Sequence, residues 1–116
     1  MGSRELDKPE WQNFCDRLSK ALLTHESMTK TASLAVNEEV VAEWVPLLGV
    51  AYDSPSDAFD MILDGLEHRV RTPKLVHVDE GPGGVAALEI IDGRGLRHTL
   101  RLDHPLKPPV RRHPHS

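Results

Sequence analysis

His68 lies between Glu67 and Arg69, with Asp60 and Asp64 close by in sequence. An imidazole oriented by a carboxylate is the usual general-base arrangement, because the imidazole takes and releases protons near neutral pH. Asp60, Glu67 and His68 are therefore one candidate site, for a small enzyme or a small-molecule binder. The plainer alternative is a loop histidine packed on a sheet edge. Six further histidines offer less. His104, His113 and His115 fall in or beside a Pro-rich C-terminal segment, whereas a metal requires imidazoles in a fixed geometry. No metal is assigned to them. His98 and His104 share strand parity with Leu100 and Leu102, so they would cap the ends of an apolar face. Any partner for them must come from elsewhere in the chain.

Other chemistry is sparse. Cys15, the only cysteine, sits between Phe14 and Leu18 on an apolar stripe, where a buried thiol is inert. There is no G-x-S-x-G nucleophile turn. Gly81-Pro82-Gly83-Gly84 lacks the Lys-Ser/Thr and the following helix of a phosphate loop, and reads as a turn. Asp92-Gly93-Arg94-Gly95 lacks the alternating acidic ligands of a calcium loop and reads as a hairpin turn. No cofactor is implied. Pro105-Leu106-Lys107-Pro108 has P-x-x-P spacing, and basic residues after it could meet an acidic partner.

The bulk numbers narrow the class. The chain has 116 residues, enough for one core; apolar residues are 39%, charged residues 28% and aromatics 4%. The net charge is −4, and all 18 acidic residues lie at or before Asp103, so the body is more acidic than the sum. Nucleic-acid binders normally show a basic face, which argues against nucleic acid as the main ligand. The third reading, weak nucleic-acid binding by Arg97, Arg101 and the basic tail, works against this charge. No apolar run approaches a membrane span, and the N-terminus lacks a signal-peptide pattern. A lone cysteine fits a reducing compartment. The expectation is a cytoplasmic protein without membrane contact.

The elements that must position these groups follow from periodicity. Residues 1–6 read as a loose leader. Asp7 and Glu10 form a capping-box-like pair, and Trp11, Phe14, Cys15, Leu18 and Leu22 recur at helical spacing. This predicts a helix over about 8–23. Strands follow over about 28–36 and 40–52, the second interrupted at Pro46 and Gly49, and over Phe59–Leu63. Residues 66–74 read as loop, with Thr72-Pro73 forced to be extended. Leu75–Asp79, Val85–Ile91 and Leu96–Leu102, separated by glycine-rich turns, predict a three-stranded meander with one wet face. The whole is α+β: one N-terminal helix packed on a five- to six-stranded antiparallel sheet, curved where Gly49 and Pro46 interrupt it. It forms a single domain over 1–104, followed by a disordered, Pro-rich basic tail over 105–116.

In order along the chain, Arg4-Glu5-Leu6 with Trp11 and Phe14, Ala42–Gly49, Tyr52-Asp53, Gly65–His68 with Pro73, Val78–Gly84, Leu88-Glu89 and Leu102–Leu106 resemble a bacterial family known only as domain of unknown function 5335. That resemblance covers about residues 4–106. It implies a small stand-alone bacterial protein and carries no activity. The layout also looks like that of Sm-like proteins, an analogy of fold alone. The favoured role is a non-enzymatic binding or assembly module, homo-oligomeric, because no catalytic motif stands out. Adjacent Leu47 and Leu48 cannot readily point into one core, so one of them is a candidate interface residue.

Overall fold

Trp11, Phe14, Cys15, Leu18 and Ala21 repeat every three or four residues and are all buried, so one stripe of a helix must meet an apolar surface. In the computed structural model, which describes residues 2–24 and 30–107, that helix is α1, Trp11–Thr24, entered through a short 3-10 turn over Lys8–Glu10. Asp7 precedes the turn, but its side chain makes no capping bond; its backbone carbonyl accepts the Glu10 N–H instead, at 2.8 Å.

The strands are β1 (Gly2–Glu5), β2 (Thr31–Val36), β3 (Glu39–Asp53), β4 (Ala58–Leu63), β5 (Leu66–Arg71), β6 (Pro73–Gly81), β7 (Gly84–Asp92) and β8 (Arg97–Leu106). They form one antiparallel sheet in the order β1-β6-β7-β8-β2-β3-β4-β5. The helix-on-antiparallel-sheet architecture is as expected, but the sheet has eight strands rather than five or six. Both extra strands are edges. The supposed leader pairs with β6, Gly2 opposite Glu80 through Glu5 opposite His77. The supposed loop at 66–71 pairs with β4, Leu63 opposite Leu66 through Ala58 opposite Arg71. Edge strands pair along one side only, and β1 is exposed along its whole length, so their apolar alternation is weak. At the C-terminal end, β8 runs past the expected domain limit at residue 104, through Pro105 to Leu106, which is buried in the core. The remainder of the expected tail, 108–116, and with it His113 and His115, lies outside the described residues.

The long strand β3 produces the curvature. Its first half pairs with β2 up to Pro46, and its second half pairs with β4 from Leu47. Pro46 has no N–H to donate, so it sits at the changeover, where no ladder bond is lost. Irregular register at Ala32–Ala35 and between Leu47 and Gly49 adds the bend that such bulges bring. Trp44 sits within this distorted stretch with φ +52°.

The helix and the inner face of the sheet share one core. Trp11, Tyr52 and Phe59 meet at ring-centroid distances of 5.3, 5.4 and 4.8 Å, and the Trp11 Nε1–H donates to the Leu6 carbonyl at 3.1 Å. Ser19 fastens the helix to β3: its hydroxyl donates to the Val50 carbonyl at 2.7 Å and accepts the Val50 N–H at 3.0 Å. Burial and the neighbouring Asp16 push the Cys15 thiol up to about 12, so the thiolate is scarce at neutral pH. On β8, Leu100 and Leu102 are buried while Arg97 and Arg101 are exposed.

Candidate functional site

The bend carries β5, the last strand of the sheet, round towards β7 and β8. On β5, Leu66, His68 and Val70 face inward, while Glu67, Arg69 and Arg71 face out. The inward His68 meets the inward His98 of β8: His68 Nε2 lies 2.9 Å from His98 Nδ1, with the rings 5.1 Å apart at 48°. His98 in turn places Nε2 2.8 Å from Oδ2 of Asp92, the last residue of β7. Three residues from three strands thus form one hydrogen-bonded chain across the seam where the curled sheet approaches itself.

Chemistry fixes the direction of this chain. Burial pushes the Asp92 carboxyl up, but the hydrogen bonds from His98 and from the Leu96 and Arg94 N–H groups outweigh burial and hold it below the ordinary carboxylate range. An ionised carboxylate only accepts, so His98 donates from Nε2, and in the neutral ring this leaves Nδ1 as an acceptor. His68 must then donate from its own Nε2. Its Nδ1 has no hydrogen-bond partner among the described residues. Burial, followed by the neighbouring His98, lowers the His68 pKa from 6.5.

Asp92 also builds the turn beside it. Its Oδ1 accepts the Arg94 N–H at 2.8 Å and the Leu96 N–H at 3.0 Å. Asp-Gly hairpin chemistry is therefore joined to the histidine chain through one buried carboxylate. Opposite this turn stands Thr72, a β-branched residue before proline that nonetheless has φ +53°. The extended conformation expected there is not adopted. The Thr72 N–H donates to the Asp57 carbonyl at 3.0 Å, and a Cβ on Gly93 would lie 3.1 Å from the Thr72 methyl carbon. A β-branched residue in the left-handed region costs on the order of 1–3 kcal/mol, and such strain clusters at ligand clamps and active sites.

Between these parts lies an open cleft of about 530 Å³, lined by Arg69, Arg71, Thr72, Asp92, Gly93, Arg94, Leu96 and His98. Arg69 is committed to Asp60 through two bonds, at 2.9 and 3.1 Å. Among the described residues, no carboxylate lies within ion-pair distance of the Arg71 or Arg94 guanidinium.

Of the residues singled out from sequence, His68 is at this seam, but neither Asp60 nor Glu67 orients it. Asp60 pairs with Arg69 on the outer side of the hairpin, and Glu67 is exposed. The orienting group is Asp92, acting through His98. Both belong to segments read as turn and strand, and neither was joined to His68. The available signal was His98 itself: an inward-facing histidine needs a buried partner. Leu47 is 4% exposed and Leu48 54%, so Leu48 is the outward member of that pair. His104 is exposed beside Asp103, at 3.2 Å. Arg97 is paired with Glu89 at 3.1 Å. Among the described residues, no group of three or more His, Cys, Asp or Glu side chains is placed to hold a metal ion, and no helix is long and apolar enough to cross a membrane.

Acid sensitivity follows from the lowered pKa values. Because His68 takes its proton less readily when folded, the unfolded chain binds more protons just below pH 6.5, and stability falls as pH drops from about 6.5 to the folded value. The Asp92 contribution is present above pH 3.8 and is lost as pH falls further, through its folded value. Thermal midpoints measured across this range should fall in two stages, and His68→Gln should remove the upper one.

Among the described residues, the geometry defines an α+β protein with one helix packed on a bent antiparallel sheet and a cleft at the sheet's seam. The chain belongs to the family described as "Family of unknown function (DUF5335)", whose sequence model matches residues 2–111. It is similar to an uncharacterized protein of Aquifex aeolicus (strain VF5), 30% identical over 103 residues that cover 88% of this chain and 93% of the relative. No solved structure matches it.

Proposed function

We propose that this protein is a small-molecule-binding module whose ligand occupies the seam cleft beside the Asp92–His98–His68 chain. The observation that carries this is the chain itself: a buried carboxylate orders two imidazoles, and that carboxylate and the first of them, His98, line an open cleft beside the strained Thr72. Convergent polar groups in a concave site are the ordinary mark of a ligand pocket. A cytoplasmic location is part of the reading, on the ground of the single cysteine. The test is a fragment screen by amide chemical-shift mapping on the full chain. Hits of any charge should move residues 69–72 and 92–98; hits that all map elsewhere would remove the proposal.

A second reading, self-association, is favoured by one feature of β3. Val40, Val41, Trp44 and Leu48 are all exposed, Trp44 at 48% with positive φ, and such a run on one strand suits a second copy of this chain. Light scattering should then give a dimer or larger for the native chain and a monomer for Trp44→Ser. A native monomer at high concentration would contradict it.

A further inference from the structure

We infer that the ligand of the seam cleft is a small phosphate monoester, gripped by Arg71 and Arg94 from opposite walls. The inference rests on the cleft being a binding site and adds the chemical class of what enters it.

Charge is the first argument. The chain as a whole is acidic, at −4, yet this cleft gathers three arginines and one carboxylate. Arg69 is neutralised by Asp60. The hydrogen bonds of Asp92 run within the fold, Oδ1 to two backbone N–H groups and Oδ2 to His98. What the cleft offers outward is therefore two guanidinium groups that, among the described residues, have no carboxylate within ion-pair distance. Surplus positive charge in a concave site focuses its field on an entering anion, and two guanidinium groups match one dianion.

Shape is the second argument. Arg71 ends β5 and Arg94 belongs to the turn between β7 and β8, so the two groups come from different walls of the seam. The planar guanidinium fork matches phosphate oxygens bidentately. Thr72, held at φ +53° between Arg71 and Pro73, also lines the cleft. Gly93 leaves room for it: a side chain there would press on Thr72 at 3.1 Å. A phosphate monoester also has a second ionisation near pH 6. Binding to the dianion should weaken as the phosphate gains its proton.

The test is calorimetric titration of the full chain at low and at moderate salt with glycerol 3-phosphate, with glycerol as the neutral control. A parallel arm uses phosphatidylcholine vesicles carrying phosphatidate. Binding of either phosphate probe, absent for glycerol and reduced at least about tenfold in both Arg71→Gln and Arg94→Gln, supports the inference; the arm that binds tells a soluble monoester from a lipid headgroup. Both substitutions are at surface positions, and unchanged unfolding midpoints would show that the variants are folded. Neither probe binding, or binding unaffected by both substitutions, overturns the inference. If neutral fragments still map to residues 69–72 and 92–98 in that event, the cleft remains a binding site and only the phosphate assignment falls.

Discussion

Replacing Asp92 with alanine is expected to cost about 3–4 kcal/mol of stability, because one buried carboxylate serves three donors. Its loss leaves the Arg94 and Leu96 amides and the His98 Nε2–H without their acceptor, and His98 is itself 5% exposed. Asp92→Asn separates the two roles. Its side-chain carbonyl can still accept the turn amides, but its NH₂ faces His98 and must donate. The hydrogen-bond direction through His98 and His68 would then reverse. We expect a smaller loss, about 1–2 kcal/mol, with both imidazoles changing tautomer. Urea unfolding of the two variants checks the order. Equal losses would mean that the carboxylate charge, rather than the turn geometry, carries the whole effect.

Gly84→Ala is the second large effect. Gly84 has φ +115°, which side chains rarely adopt, and a Cβ there would sit 2.5 Å from the Leu106 carbonyl oxygen, 2.6 Å from its carbon and 2.7 Å from the Lys107 nitrogen. All three atoms are backbone, so no rotamer change relieves the overlap. Either the β6–β7 turn shifts or the end of β8 lifts away, and the second course breaks the Val85–Leu106 pairing and exposes a core leucine. A loss of at least about 3 kcal/mol is expected. Gly81→Ala, in the same turn, is the control, since nothing lies within 4 Å of its Cβ position. Urea unfolding should separate the two variants clearly. Similar midpoints would contradict this packing of β8.

These two positions also show how far sequence reaches. The glycine-rich turn at 81–84 was legible as a turn, because local φ/ψ demands select glycine. That Gly84 also presses on the end of β8 was not, since the contact joins residues 22 apart that only the fold brings together. The helix and the three-stranded meander were legible for the same local reason: each has an apolar period of its own. β1 and β5 were not, because edge strands such as Leu66–Arg71 alternate a single valine and leucine with charges. Missing β5 hid the site. With residues 66–74 read as loop, His68 had no defined face, and the carboxylates near it in sequence, Asp60, Asp64 and Glu67, were its visible partners. As a strand, the segment turns His68 inward and its charged neighbours outward, so the partner must be an inward residue of a distant strand. His98 met that description on its own parity with Leu100 and Leu102. Nothing local says that β5 and β8 meet, because their approach depends on the bend of β3 around Pro46 and Gly49. The strain at Thr72 was equally hidden, since a residue before proline is ordinarily extended.

The most direct test of this site is the histidine ring ¹H–¹⁵N spectrum of the native chain at neutral pH. The geometry predicts His98 as the Nε2–H tautomer with a bare, hydrogen-bonded Nδ1, and His68 donating from Nε2 to that nitrogen. A His98 protonated on Nδ1, or a His68 with no coupling to it, would contradict the Asp92–His98–His68 chain on which the proposed site is built.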